Sequence, residues 1–173
     1  MGMNGSTVLE PLRQGLPPID PAGAAGSASC ALPPHYEAVR GARQFTRTTL
    51  KQWELSERFD DVALVVSELV TNALRHALLD DGTVRQEPYD APVRLHLMRW
   101  TSRLVCAVRD PSHTGPAARQ TEEDGAAESG RGLLLVESFS DTWGWHPLAG
   151  TLHGKVVWAL FQLPCAAEPD GRT

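Results

Sequence analysis

Residues 60–79 read DDVALVVSELVTNALRHALL. Val62, Val65, Val66, Leu69, Ala73 and Ala77 recur at spacings of three and four, one apolar stripe of an amphipathic helix, and Asp60 or Asp61 can cap its start. Glu68 and Asn72 stand four residues apart, rotated by about 40° from each other at 3.6 residues per turn, at the edge of the stripe and not opposite it. A carboxylate and an amide beside a core are placed to meet a polar ligand in a cleft. The amide oxygen can coordinate Mg²⁺, and the carboxylate can orient or deprotonate a nucleophile. On spacing alone, a solvated helix edge remains the plainer reading.

Upstream of this helix, Glu37 to Trp53 sets Ala38, Ala42, Phe45, Thr49 and Trp53 on a second apolar stripe, which predicts another helix. Before it, Ser29 to Leu32 reads as a short strand halted by Pro33-Pro34. Residues 1–27, rich in Gly, Pro, Ala and Ser, read as a disordered N-terminal tail. Downstream, Asp80 to Pro92 carries turn residues throughout. The period then changes to two, with Val93, Leu95 and Leu97 alternating with Arg94, His96 and Met98 up to Trp100. Thr101-Ser102 makes a tight turn into the apolar run Arg103 to Asp110, so these two strands are expected to be hairpin partners. Residues 111–129 have almost no apolar side chains beyond Ala, the mark of a lid or an insertion. Leu133 to Phe139 predicts a short helix after Gly130-Arg131-Gly132, Asp141 to His146 and Lys155 to Leu163 predict strands, and 165–173 reads as a C-terminal tail. The expected fold is an α/β two-layer sandwich over residues 28–164, with a mixed, largely antiparallel sheet covered on one side by three helices.

Composition narrows the function classes. The 173 residues are 42% hydrophobic and 21% charged, enough for one packed core. Lys plus Arg number 16 against 21 Asp plus Glu, a formal charge of -5, which disfavours a surface that works by neutralising phosphates of nucleic acid. Cys30, Cys106 and Cys165 are widely spaced with no C-x-x-C, and the six His include no H-E-x-x-H, so neither a disulfide framework nor a dedicated zinc site is expected. No segment has the roughly 18 apolar residues of a membrane span and no signal-peptide core is seen, so the expected location is cytoplasmic.

Two further elements join Glu68 and Asn72. Asp110 ends a hydrophobic strand, where its carboxylate can accept a hydrogen bond from a ligand amino group; Asp before Pro is also a common turn initiator. Gly130-Arg131-Gly132-Leu133 sets two glycines ahead of a helix, which lets backbone N–H groups approach a phosphate at the positive end of the helix dipole; such glycines also serve merely to turn a chain.

In this order, the motifs resemble those of a known family. The string Ser67-Glu68-Leu69-Val70-Thr71-Asn72-Ala73-Leu74-Arg75-His76-Ala77 resembles the N-box of the GHKL (Bergerat-fold, histidine-kinase-like) ATPases, in the form typical of anti-sigma regulatory factors that are serine/threonine protein kinases. Asp110 is similar to the Asp of that family's first glycine box, Gly130 to Leu133 to its second, and Gly154-Lys155-Val156-Val157-Trp158 to its closing strand. The resemblance implies ATP and Mg²⁺ as cofactors. It implies Glu68 as general base, Asn72 as Mg²⁺ ligand, and Asp110 as the residue that recognises the adenine amino group. Gly130, Arg131, Gly132 and Leu133 would line the phosphates under a lid at 111–129, and His76, one turn beyond Asn72, would contact nucleotide or a partner or else pack at the helix edge. The implied partners are a sigma factor and an anti-sigma antagonist protein, with no direct nucleic acid and no membrane; a homodimer is left open.

Two departures open an alternative. The first glycine box is usually Asp-x-Gly, and here it reads Asp110-Pro111-Ser112; Glu128 stands where kinase-competent relatives often carry a basic residue. Both favour a nucleotide-sensing, protein-binding regulator without phosphotransfer. A detached histidine-kinase catalytic domain is disfavoured because no helical hairpin with a phosphoacceptor His precedes the domain. A DNA-binding reading would rest on Arg40, Arg43, Arg47 and Lys51 alone, which read better as a solvated or protein-binding face.

Overall fold

The computed structural model describes residues 24–79, 93–112, 115–116, 127–149 and 153–164. Its elements are β1 (Ala24–Leu32), α1 (Glu37–Gln52), a single 3₁₀ turn (Ser56–Arg58), α2 (Phe59–Leu79), β2 (Val93–Trp100), β3 (Arg103–Asp110), α3 (Ala127–Phe139), β4 (Thr142–Pro147) and β5 (Lys155–Gln162). The strands form a five-stranded sheet in the order β1-β2-β3-β5-β4, with each of the four pairings antiparallel. All three helices contribute to the core on one face of this sheet.

Helix α2 holds its shape through burial more than through intrinsic preference. Its Val62, Val65, Val66 and Val70 are β-branched and modest helix formers, yet each is 0% exposed. With Leu69, Ala73 and Leu74 they make a stripe three residues wide that faces Leu95, Leu97, Cys106 and Val108 of the sheet. Each fully buried Val or Leu contributes about 1.5–3 kcal/mol, far more than the few tenths lost to propensity. In α1 the buried residues are Ala38, Ala42, Thr46, Thr49 and Leu50, while Phe45 and Trp53 are only partly covered.

Several boundaries differ from the sequence expectation. Strand β1 starts at Ala24, so residues 24–27 of the expected tail pair with β2 as far as Trp100; small residues such as Ala and Ser carry no strand signal and are held here by a neighbour's ladder. Helix α3 starts at Ala127, inside the segment expected to be a loop to residue 129. The expected connection 80–92 and the tail 165–173 lie outside the described residues, as do residues 1–23. Among the described residues no helix is long and apolar enough to cross a membrane.

The sheet's opposite face is apolar too. Met98, Trp100, Val105, Ala107, Leu148, Val156, Trp158 and Leu160 form a second buried cluster to which no described helix contributes. His96 shares that face by strand alternation, is 2% exposed, and its Nδ1 has no hydrogen-bond partner among the described residues. Burial first, and then the charges of Arg94 and Arg109, push its imidazole down to about 4. The unfolded chain, with an ordinary histidine near 6.5, therefore takes up this proton first as pH falls. Above about pH 6.5 the group exacts no penalty; between about 6.5 and about 4 a destabilisation of up to about 3 kcal/mol accumulates. Urea midpoints at pH 7.5 and pH 5 are expected to differ less for His96→Phe than for the unmodified chain; equal differences would show that His96 does not titrate in this way.

Burial likewise pushes the thiol of Cys106 up to about 12 and that of Cys30 to about 11. Both are free, and both act as protonated packing groups and not as nucleophiles.

Candidate functional site

Antiparallel pairing of β3 with β5 sets the last residue of β3, Asp110, directly opposite the first residue of β5, Lys155. Their side chains share the helix-facing side of the sheet, and Lys155 Nζ donates to Asp110 Oδ1 at 2.9 Å. The two side chains are 1% and 2% exposed, a burial that lysine and aspartate reach only when paired. The Ser112 backbone N–H donates to the same Oδ1 at 2.8 Å, which closes an Asx turn over Pro111. Asp110 is thus turn initiator and buried acceptor at once.

A glycine is required where β5 begins, beside the exit of β3. Gly154, at φ +110°, lies so close to the exit of β3 that an added Cβ would stand 2.1 Å from the Asp110 carbonyl oxygen and 3.1 Å from Pro111 Cα. The head of β5 and the exit of β3 therefore pack backbone against backbone at this point.

Above this end of the sheet lies α2. Leu69, Asn72 and Ala73 of α2, Val108 and Asp110 of β3, Lys155 and Val157 of β5, and Pro116 together line one small cavity. The neighbouring Gly115 packs on the indole of Trp145 in β4, where an added Cβ would come within 2.4 Å of the ring. Helix α3 completes the arrangement from the other side. A Cβ on Gly132 would stand 2.7 Å from Glu68 Oε2 and 3.7 Å from Asn72 Nδ2, so the second glycine motif and the Glu–Asn pair are in contact distance.

Asn72 and Asp110 thus line one cavity, and Glu68 meets Gly132 beside it. Gly130 and Gly132 do not precede the helix as expected: they are its fourth and sixth residues, counted from Ala127. Ala127 and Glu128 are good helix formers and a glycine within a helix costs only about 1 kcal/mol, so the helix runs through both. Leu133 is 5% exposed and does not line the cavity. The side chains at 76 and 131, the surroundings of Gly130, and most of the expected lid lie outside the described residues.

The sequence matches the histidine kinase-like ATPase domain over residues 32–160. The chain belongs to that family. Comparison with curated protein sequences finds no match. Among solved structures, the SiaB–SiaC complex from Pseudomonas aeruginosa contains a similar chain, with a TM-score of 0.49 at 12% identity over 82% of this chain and 91% of that one.

For a histidine kinase-like ATPase domain the expected ligand is ATP, and the residues present fit one. The lining combines apolar side chains with one buried carboxylate as acceptor, the residue types that a base carrying an amino group would meet, and the Glu68 carboxylate can approach α3 at Gly132 because no Cβ is there. Lys155, which lines the cavity, and Gly154, which packs on the Asp110 backbone beside it, read in the sequence only as the start of the closing strand. The available signal was a charged residue at the head of the otherwise apolar run Lys155 to Leu163; its partner could not be read without the strand register.

Proposed function

We propose that this histidine kinase-like ATPase domain is a regulator of a sigma factor, acting in the cytoplasm as an Mg²⁺-dependent serine/threonine kinase on an anti-sigma antagonist protein. The observation that carries the reading is the convergence of Glu68, Asn72 and Gly132 beside a cavity that holds Asp110. The subfamily and its partners rest on the N-box resemblance.

Within this reading Asp110 accepts a hydrogen bond from the exocyclic amino group of the base, and Leu69, Ala73, Val108 and Val157 enclose its ring. The Asn72 side-chain oxygen is the protein's ligand to Mg²⁺. Among the described residues no group of three or more His, Cys, Asp or Glu could hold an ion unaided, and Mg²⁺ commonly takes one or two protein ligands with phosphate oxygens and water. Glu68 removes the proton from the attacking hydroxyl. Gly130, Arg131, Gly132 and Leu133 approach the phosphates, and His76 contacts nucleotide or partner. Bound ATP supplies the phosphoryl group.

Asn72→Ala is expected to weaken Mg²⁺-ATP binding at least tenfold by calorimetry. Glu68→Ala is expected to leave binding within about threefold and to slow transfer to antagonist proteins by about 10²–10⁴. Unchanged ATP affinity in Asn72→Ala would refute the assigned geometry.

A second reading, a nucleotide-sensing regulator without phosphotransfer, is favoured by the Pro111-Ser112 turn that replaces the usual glycine and by Glu128. It expects ATP to change partner affinity in both the unmodified chain and Glu68→Ala, with no labelled phosphate reaching the partner.

A further inference from the structure

Lys155 is the least expected member of the cavity. Its ammonium carries three N–H donors, and its hydrogen bond among the described residues, to Asp110, uses one of them. At 1% exposure the remainder do not face bulk solvent. A buried ammonium with donor capacity to spare, in the lining of a cavity, is a built recognition group, because leaving such donors without acceptors costs more than a neutral donor would. Asp110 and Lys155 therefore present an acceptor and a donor side by side, held in fixed register by the β3–β5 ladder. The complementary ligand edge carries a donor beside an acceptor, which is the pattern of an amino group next to a ring nitrogen.

We infer that Lys155 is a base-reading residue, which donates to the acceptor ring nitrogen beside the amino group accepted by Asp110. This rests on the ATP reading above and extends it from one contact to two. The two contacts do different work: an amino group alone selects for a donor, whereas the pair selects for a donor and an acceptor at adjacent positions of one ring. The pair also keeps the cavity electrically neutral, so that an uncharged base can enter it without leaving a lone buried charge.

The test is titration of the full chain with ATP and with 1-deaza-ATP, which keeps the amino group and lacks the neighbouring ring nitrogen. The unmodified chain is expected to bind ATP about tenfold to a hundredfold more tightly than the analogue. The neutral double variant Lys155→Met with Asp110→Asn is expected to bind the two alike, since the donor is gone. A measurement without substitution accompanies it: the ζ-nitrogen NMR signal of Lys155 is expected to shift with ATP and to stay in place with 1-deaza-ATP. Equal affinities in the unmodified chain, or preserved discrimination in the double variant, or a ζ-nitrogen signal indifferent to ATP, would each overturn the inference while leaving ATP binding intact. Absence of ATP binding to the unmodified chain would overturn it together with the reading on which it stands.

Discussion

Lys155→Met is expected to destabilise the chain by about 3–5 kcal/mol, because it removes one partner of a buried ion pair and leaves the other uncompensated. Asp110 then loses the ammonium that donates to it at 2.9 Å, while the Ser112 N–H still donates to the same oxygen. At 2% exposure its charge cannot be handed back to water, so the chain must unfold locally or the carboxyl must take up a proton. Asp110→Asn is expected to cost a similar amount, now by stranding the ammonium. The double variant is expected to recover much of the combined loss, since two neutral side chains of similar size need no partner charge. Urea midpoints of the four proteins give the coupling directly. A loss below about 1 kcal/mol for both single variants would place the pair in effective contact with solvent, at the value typical of surface ion pairs.

The second large effect is expected at Gly154. At φ +110° an L side chain is strained, and an alanine Cβ would also stand 2.1 Å from the Asp110 carbonyl oxygen and 3.1 Å from both the Asp110 carbonyl carbon and Pro111 Cα. Those are backbone atoms of the neighbouring chain segment, which no rotamer change can move aside. Gly154→Ala must therefore shift the head of β5, and with it Lys155, at a cost of about 3 kcal/mol or more. Loss of the Lys155–Asp110 bond is expected to weaken ATP binding in the same variant. Gly41→Ala is the control: in α1 the added Cβ meets nothing within 4 Å, so the exchange is expected to be neutral or stabilising by up to about 1 kcal/mol. Thermal unfolding of the two variants separates a general intolerance of glycine replacement from the contact at Gly154.

The elements that sequence alone determined are those whose burial pattern repeats with their own period. Helix α2 was legible over residues 60–79 because Val62, Val66, Leu69 and Ala73 mark one face, and the β2–β3 hairpin because its alternation is interrupted only by the two-residue turn at Thr101-Ser102. The spacing of Glu68 and Asn72 on one helix face was equally local. Tertiary structure decided what has no local signal. Strand β1 extends back to Ala24 because β2 supplies its hydrogen bonds; helix α3 runs back to Ala127 through two glycines; and Asp110 acquires Lys155, 45 residues away, through the register of β3 against β5. The physical division follows the range of the forces. Side-chain periodicity is written along the chain within a few residues, whereas strand register, the pairing of buried charges and the close approach at Gly154 depend on segments that meet only when the sheet has closed.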